Sequence, residues 1–277
     1  LTKQRRGVSI SGASGNIVVS NLISRHPRGG IEISGAVGSN VVGWNSIGTN
    51  GTNNVFINGD GADMNRIVSN WISGPISNYQ YGVYVFQGDG NYFGGNTIRR
   101  HNSPSGNYGY GVYVNGGASN VFERNVLYSN GTSSGYDLYG YLAPATRLAD
   151  NDVIGNSSQY YGIYLQYASG STISNNRVRR LYSQGVAVYY SADVRVVGNH
   201  IWSNQNSGLY LASTTNSLVK SNRIHGPSQA YGILQEGGNF SNTFVRNHIS
   251  RNTSYGIWNR SAARGNLFAN NTFISNY

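Results

Sequence analysis

Apolar and polar positions alternate along this chain in short runs separated by tight Gly, Ser and Asn turns. The stretch from Gly162 to Gln184 shows the grammar. Ile163 and Leu165 alternate with Tyr164 and Gln166, the period of a half-buried strand. A Ser/Gly-rich turn from Ala168 to Gly170 leads into a second short strand ending at Ile173. Asn176 then marks a corner, and a third strand turns Val178 inward while Arg177 and Arg179 point outward. Three strands of a few residues each, joined by tight turns, leave no room for a crossover helix.

The same grammar recurs along the chain. Asn-x-apolar appears at Asn21, Asn45, Asn70, Asn96, Asn125, Asn151, Asn176, Asn199, Asn222, Asn247 and Asn271, in steps of 23 to 29 residues. Gly-apolar-x-apolar keeps the same period at Gly30, Gly82, Gly111, Gly162, Gly185 and Gly208, and its Gly-apolar opening recurs at Gly232 and Gly256. Such self-similarity is the mark of a repeat architecture, whose units bury their apolar sides only by stacking. The pattern predicts an all-β fold, a parallel β-solenoid (β-helix) of about 11 coils with three parallel sheets, a rod on the order of 50 Å long. The asparagines have a reason to recur: Asn tolerates left-handed backbone angles, and its amide both donates and accepts. Spaced about 4.8 Å apart, their amides can bond in a ladder along one corner.

Phrases such as Tyr161-Gly162-Ile163-Tyr164-Leu165 and Ser174-Asn175-Asn176-Arg177-Val178 resemble the right-handed parallel β-helix superfamily. That group includes pectate-lyase-like enzymes, alginate C5-epimerase modules and NosD-like periplasmic proteins. The resemblance spans essentially the whole chain and implies the fold; one coil design carries many activities.

Composition narrows the picture. The chain reads as one elongated domain over 1–277, with no linker or charge run dividing it. Cysteine is absent, which excludes a disulfide-stapled module and thiolate metal sites. No signal peptide and no apolar run of about eighteen residues is present, so no membrane span is expected. Neither end carries an evident polar cap, an expectation that leaves end-to-end self-association open. Lys and Arg number 20 against 10 Asp and Glu, a net charge of +10, and 18 of the 20 are arginine. The planar guanidinium fork suits carboxylate, sulfate and phosphate, so the excess points to an anionic partner.

Aligning the glycine-led strands predicts an outward row of Glu32, Phe56, Tyr84, Tyr113, Asp137, Tyr164, Ala187, Tyr210, Leu234 and Trp258. A second row two residues later contains Phe86, Tyr139, Gln166, Tyr189 and Glu236. Such aromatics suit stacking on sugar rings, or they brace one another across the coils. Basic residues cluster after the third strands, at Arg25, His26 and Arg28, Arg99, Arg100 and His101, Arg179 and Arg180, His225, and Arg251. An aromatic floor beside an arginine wall suits an acidic polysaccharide outside the cytoplasm, secreted, on the cell surface or in the periplasm. Single-stranded nucleic acid uses the same pairing, but no nucleic-acid motif accompanies it here. The expected substrate-binding set is Tyr113, Tyr164, Tyr189, Tyr210, Trp258, Arg100 and Arg179. A third row, Asp152, Arg177, His200, Arg223 and His248, reads as a solvated face with an Asp152–Arg177 pair.

A catalytic set is harder to find. Alginate epimerase modules carry Tyr-Gly-Phe-Asp-Pro-His, where this chain has Tyr81-Gly82-Val83-Tyr84-Val85-Phe86. Tyr84 stands where the resemblance requires Asp, and Phe86 where it requires His. No cofactor is expected; calcium would need a carboxylate cluster, and Asp60, Asp63 and Asp89 are the best available. Proton abstraction beside a uronate carboxylate needs a base, an acid and a neutralising group. Tyr84, Arg99 and His101 are the candidates for a metal-free lyase or an epimerase. The alternative is a non-catalytic structural or adhesive solenoid.

Overall fold

The structure is a computed structural model and describes residues 5–35, 38–74, 80–101, 109–131, 135–260 and 262–277. Each coil lays down one long strand of five to seven residues, then two strands of three. Every strand pairs in parallel with its counterparts one coil away, giving three eleven-stranded sheets. These are termed the long, second and third sheets, in chain order. No helix occurs among the described residues, and none is long and apolar enough to cross a membrane.

The coil containing Tyr161–Gln166, Thr172–Ser174 and Arg177–Arg179 shows why the sequence folds this way. Its inward residues Ile163, Leu165, Ile173 and Val178 are all fully buried. Each lies level with an apolar neighbour: Ile163 between Leu138 and Val186, Val178 between Val153 and Ile201. Burying such a side chain stabilises by about 1.5–3 kcal/mol. A coil gains that only when neighbours close over it, so the fold is cooperative along the rod.

The corner asparagines form the expected ladder between the second and third sheets. Asn125 Oδ1 accepts both the backbone N–H of Asn96 at 2.9 Å and its side-chain amide at 3.0 Å. Asn125 in turn donates to Asn151 Oδ1 at 3.0 Å and to the Phe93 carbonyl at 2.9 Å. The left-handed backbone falls one residue before the ladder asparagine, not on it, as at Arg124 (φ 55°), Asn175 (φ 55°) and Ser221 (φ 54°). That turn leaves the asparagine itself free to point inward. A second polar column runs along the corner between the long and second sheets. There Asn40 donates to Asn65 Oδ1 at 3.0 Å, Asn65 to Asn91 Oδ1 at 3.1 Å, and the Asn91 N–H to Asn120 Oδ1 at 3.0 Å.

Replacing Asn125 with Ala orphans the buried Asn96 N–H and removes one of the donors to the Phe93 carbonyl. An orphaned buried group costs about 1–3 kcal/mol, so the variant is expected to lose at least about that much. Urea unfolding followed by far-ultraviolet circular dichroism should place its midpoint well below that of Asn21→Ala, whose asparagine is exposed at the first coil.

Candidate functional site

On the long sheet, two outward positions three residues apart carry tyrosine on four consecutive coils. Tyr81 and Tyr84, Tyr110 and Tyr113, Tyr136 and Tyr139, and Tyr161 and Tyr164 stand level with one another. Along the first row the ring centroids are 5.1, 5.3 and 4.9 Å apart. Along the second row, from Phe56 to Tyr164, they are 5.0, 5.3, 5.1 and 5.0 Å apart. Tyr84 and Tyr113 are parallel to within 3°, whereas Tyr164 turns edge-on to Tyr139 at 86°. Rings spaced like the strands cover each other's faces, so the array presents mainly edges and hydroxyls to solvent. This revises the expectation of open faces for sugar stacking.

Burial raises the pKa of several phenols on this face, first by desolvation and then through neighbouring tyrosines, or through Glu236 at Tyr210. Tyr139 and Tyr161 are pushed up to about 12. Tyr113, Tyr136, Tyr164, Tyr189 and Tyr210 move in the same direction. These hydroxyls hold their protons and act as neutral hydrogen-bonding groups. Tyr210 donates to Glu236 Oε2 at 2.7 Å and Tyr139 to Gln166 Oε1 at 3.1 Å.

The structure sorts the expected site residues onto different faces. Tyr84, Tyr113, Tyr164, Tyr210 and Trp258 share the outward row of the long sheet. Tyr189 leans across the gap at Ala187, 4.8 Å from Tyr164 and 5.1 Å from Tyr210. Arg99 and Arg179 lie on the third sheet instead. Arg99 sits 4.1 Å over the Trp71 ring. Arg179 forks onto Asp152, replacing the expected Arg177 as its partner, and lies 5.0 Å from the Trp202 ring centroid. Arg100 is exposed at the following corner with φ 57°. The arginine wall is therefore largely a feature of the third sheet and its corner.

His101 requires the largest correction, because it is fully buried and packs beneath Gly82, inside the coil. Its Nδ1 is 2.8 Å from Asn130 Oδ1 and its Nε2 is 3.0 Å from Asn54 Nδ2. Desolvation lowers its pKa to about 4. The neutral ring then donates from Nδ1 and accepts at Nε2, which satisfies both neighbours. Tyr84 outside the long sheet, Arg99 outside the third sheet and His101 within the coil do not converge on one substrate.

Asp137 is likewise buried and does not occupy the outward row, where Tyr139 stands instead. It stands in the glycine column, level with Gly111 and Gly162, and accepts from Asn130 Nδ2 at 2.9 Å. Asn54 replaces glycine in the same way, level with Gly30 and Gly82, and accepts from Asn50 Nδ2 at 2.9 Å. Burial pushes the Asp137 carboxyl up to about 8. A polar residue in place of the recurring glycine is the sequence signal that marks this buried polar chain. Among the proposed calcium ligands, Asp63 and Asp89 each accept a backbone N–H from a following coil, at 2.7 and 2.6 Å.

The third sheet carries Asp152, Arg177, His200, Arg223 and His248 in register, as expected. His200 stacks on Trp202 with centroids 4.1 Å apart and brings its Nε2 to 2.9 Å from that of His225. Partial burial, then His225 and the arginines, lower His200 to about 4.

Residues 100–273 match the family described as the right handed beta helix region. The chain belongs to that family. No curated protein sequence matches it. Among solved structures, the Dettilon tailspike protein is similar with a TM-score of 0.66 at 15% identity, over 96% of this chain and 61% of that one. The chain thus spans less than two thirds of the tailspike's length. The periplasmic alginate epimerase AlgG gives a TM-score of 0.64 at 13% identity, over 98% of this chain and 78% of its own. The DFA-IIIase from Arthrobacter chlorophenolicus A6, without its lid, gives 0.65 at 12%, over 89% and 71%. These likenesses define the coil.

The buried carboxyl generates a pH test. Burial holds it at about 8, above the ordinary 3.8, so the unfolded chain ionises first and the stability this carboxyl contributes falls as pH rises from about 4 to 8. His101 has the opposite effect, costing stability only as pH falls from the ordinary imidazole value of 6.5 toward about 4. Above pH 6.5 the carboxyl is therefore the one of the two that acts. Thermal unfolding should show Asp137→Asn gaining on the native chain between pH 6.5 and 8; parallel pH profiles would contradict the raised pKa.

Proposed function

We propose that this β-helix binds an extended acidic polysaccharide along its long sheet, outside the cytoplasm. The observation that carries the reading is the two-wide tyrosine array on four consecutive coils. Regularly spaced neutral hydroxyls can donate to and accept from the hydroxyls of a linear glycan lying along the rod. The net charge of +10 favours an acidic chain, with exposed Arg100 and Arg180 at the neighbouring corner. The names of the structural relatives, a tailspike and a periplasmic alginate epimerase among them, support a carbohydrate-active setting and an extracytoplasmic place.

Binding without turnover fits the site better than a lyase or epimerase built on Tyr84, Arg99 and His101. Tyr84 faces outward on the long sheet, whereas Arg99 packs on Trp71 on the third sheet, so the two do not meet over one sugar. His101 has no path to a ligand on the outer face. A purely structural solenoid is the second reading, favoured by the mutual stacking of the rings, which by itself stabilises adjoining strands.

The two readings part at Tyr84→Phe combined with Tyr113→Phe, which keeps both rings and removes both hydroxyls. Isothermal titration with alginate and polygalacturonate should show affinity falling by about fivefold or more, because each lost hydrogen bond is worth about 0.5–1.5 kcal/mol. The unfolding midpoint should stay unchanged. Unaltered affinity, or no binding by the native chain, would favour the structural solenoid.

A further inference from the structure

We propose a second saccharide site, for an acidic sugar, in a notch at the corner between the second and third sheets. The residue before each ladder asparagine has a left-handed backbone, which turns its side chain away from the coil. On four consecutive coils that position holds Trp44 (φ 51°), Ser69 (φ 54°), Gly95 (φ 63°) and Arg124 (φ 55°). The two small residues leave a gap between the indole and the guanidinium. Three coil steps at strand spacing separate those ends by about 14 Å.

The floor of the gap is built by the second-sheet strands. Tyr92 lies flat over Gly94, where any Cβ would collide with its ring, so glycine there is what lets the phenol lie down. Arg66 sits 4.7 Å over that ring from the preceding coil. The Tyr92 hydroxyl donates to Glu123 Oε2 at 3.1 Å, and Arg124 Nη2 lies 3.5 Å from the same hydroxyl. Arg147 approaches the other Glu123 oxygen at 3.4 Å. The notch is an open depression of about 410 Å³, a volume within the range of small-molecule sites.

These groups together specify the ligand class. Trp44 is 64% exposed, unlike the tyrosines of the long sheet, which cover one another. An indole open to solvent offers the apolar platform a sugar ring needs. Arg66 and Arg124 supply planar forks for a carboxylate or sulfate. Glu123 already has Arg124 and Arg147 beside it, and Asp150 stands one coil beyond Arg124, so Arg66 is the guanidinium least committed to a carboxylate. Ser69 and Gly95 permit close approach to the backbone. The site is separate from the tyrosine array and does not depend on it.

The test uses the full chain with trigalacturonate as probe and uncharged maltotriose as control, followed by tryptophan fluorescence and isothermal titration. Saturable binding of trigalacturonate is expected, weakened about tenfold or more by Trp44→Ala and by Arg66→Ala with Arg124→Ala, as loss of charged hydrogen bonds implies. Ser69→Trp should block the notch while leaving its binding groups in place. It should fold, because Trp44 adopts the same backbone at the equivalent corner one coil earlier. Tyr84→Phe with Tyr113→Phe should leave this binding intact, which separates the notch from the long sheet. Any of three results would overturn the proposal: no trigalacturonate binding, equal binding of maltotriose, or full affinity in a folded Ser69→Trp variant.

Discussion

One hydrogen-bonding unit holds the coils in register: an asparagine side chain that accepts from the coil before it and donates to the coil after it. At Asn125 a single Oδ1 takes two donors from Asn96, while the amide reaches Asn151 and the Phe93 carbonyl. A slip of one residue would break these bonds and turn every strand's apolar side toward solvent. Because the ladder fixes register, equivalent positions on successive coils become straight rows, and each outer face takes its chemistry from those rows.

The rows separate functions that a folded surface would usually mix. The long sheet presents stacked neutral phenols, the third sheet presents arginine and histidine, and the corner between the second and third sheets carries an indole beside small residues. Spacing dictates how these groups can act. Tyrosines about 5 Å apart satisfy one another's faces, leaving hydroxyls and edges for a ligand. Trp44 escapes that constraint because serine and glycine, not aromatics, follow it along the corner.

Much of the fold was legible in the sequence, because the asparagine period sets the coil and the alternation within each strand sets inside and outside. Ile163, Val178 and the third-sheet row behave as that pattern implies. The candidate site was less legible. Asp137 and Asn54 interrupt the glycine phrase, and a reading aligned on that phrase places Asp137 outside, although it replaces the glycine itself. His101 follows two arginines and resembles part of a basic loop, yet the chain turns inward between Arg100 and His101. The polar column between the long and second sheets was hidden in the sequence because its asparagines give way to Thr146 and Ser171, where the Ser171 hydroxyl accepts the Thr146 N–H at 3.0 Å. Residue type shows what a position can bond; only the register shows where it points.

The most direct measurement is a crystal structure of the chain with a uronate hexasaccharide. The sugar should run along the long sheet with its hydroxyls at hydrogen-bond distance from the tyrosine hydroxyls, and Tyr84 and Tyr113 should remain stacked near 5.3 Å. A sugar that parts those rings to lie on their faces, or that leaves the long sheet empty, would contradict the account.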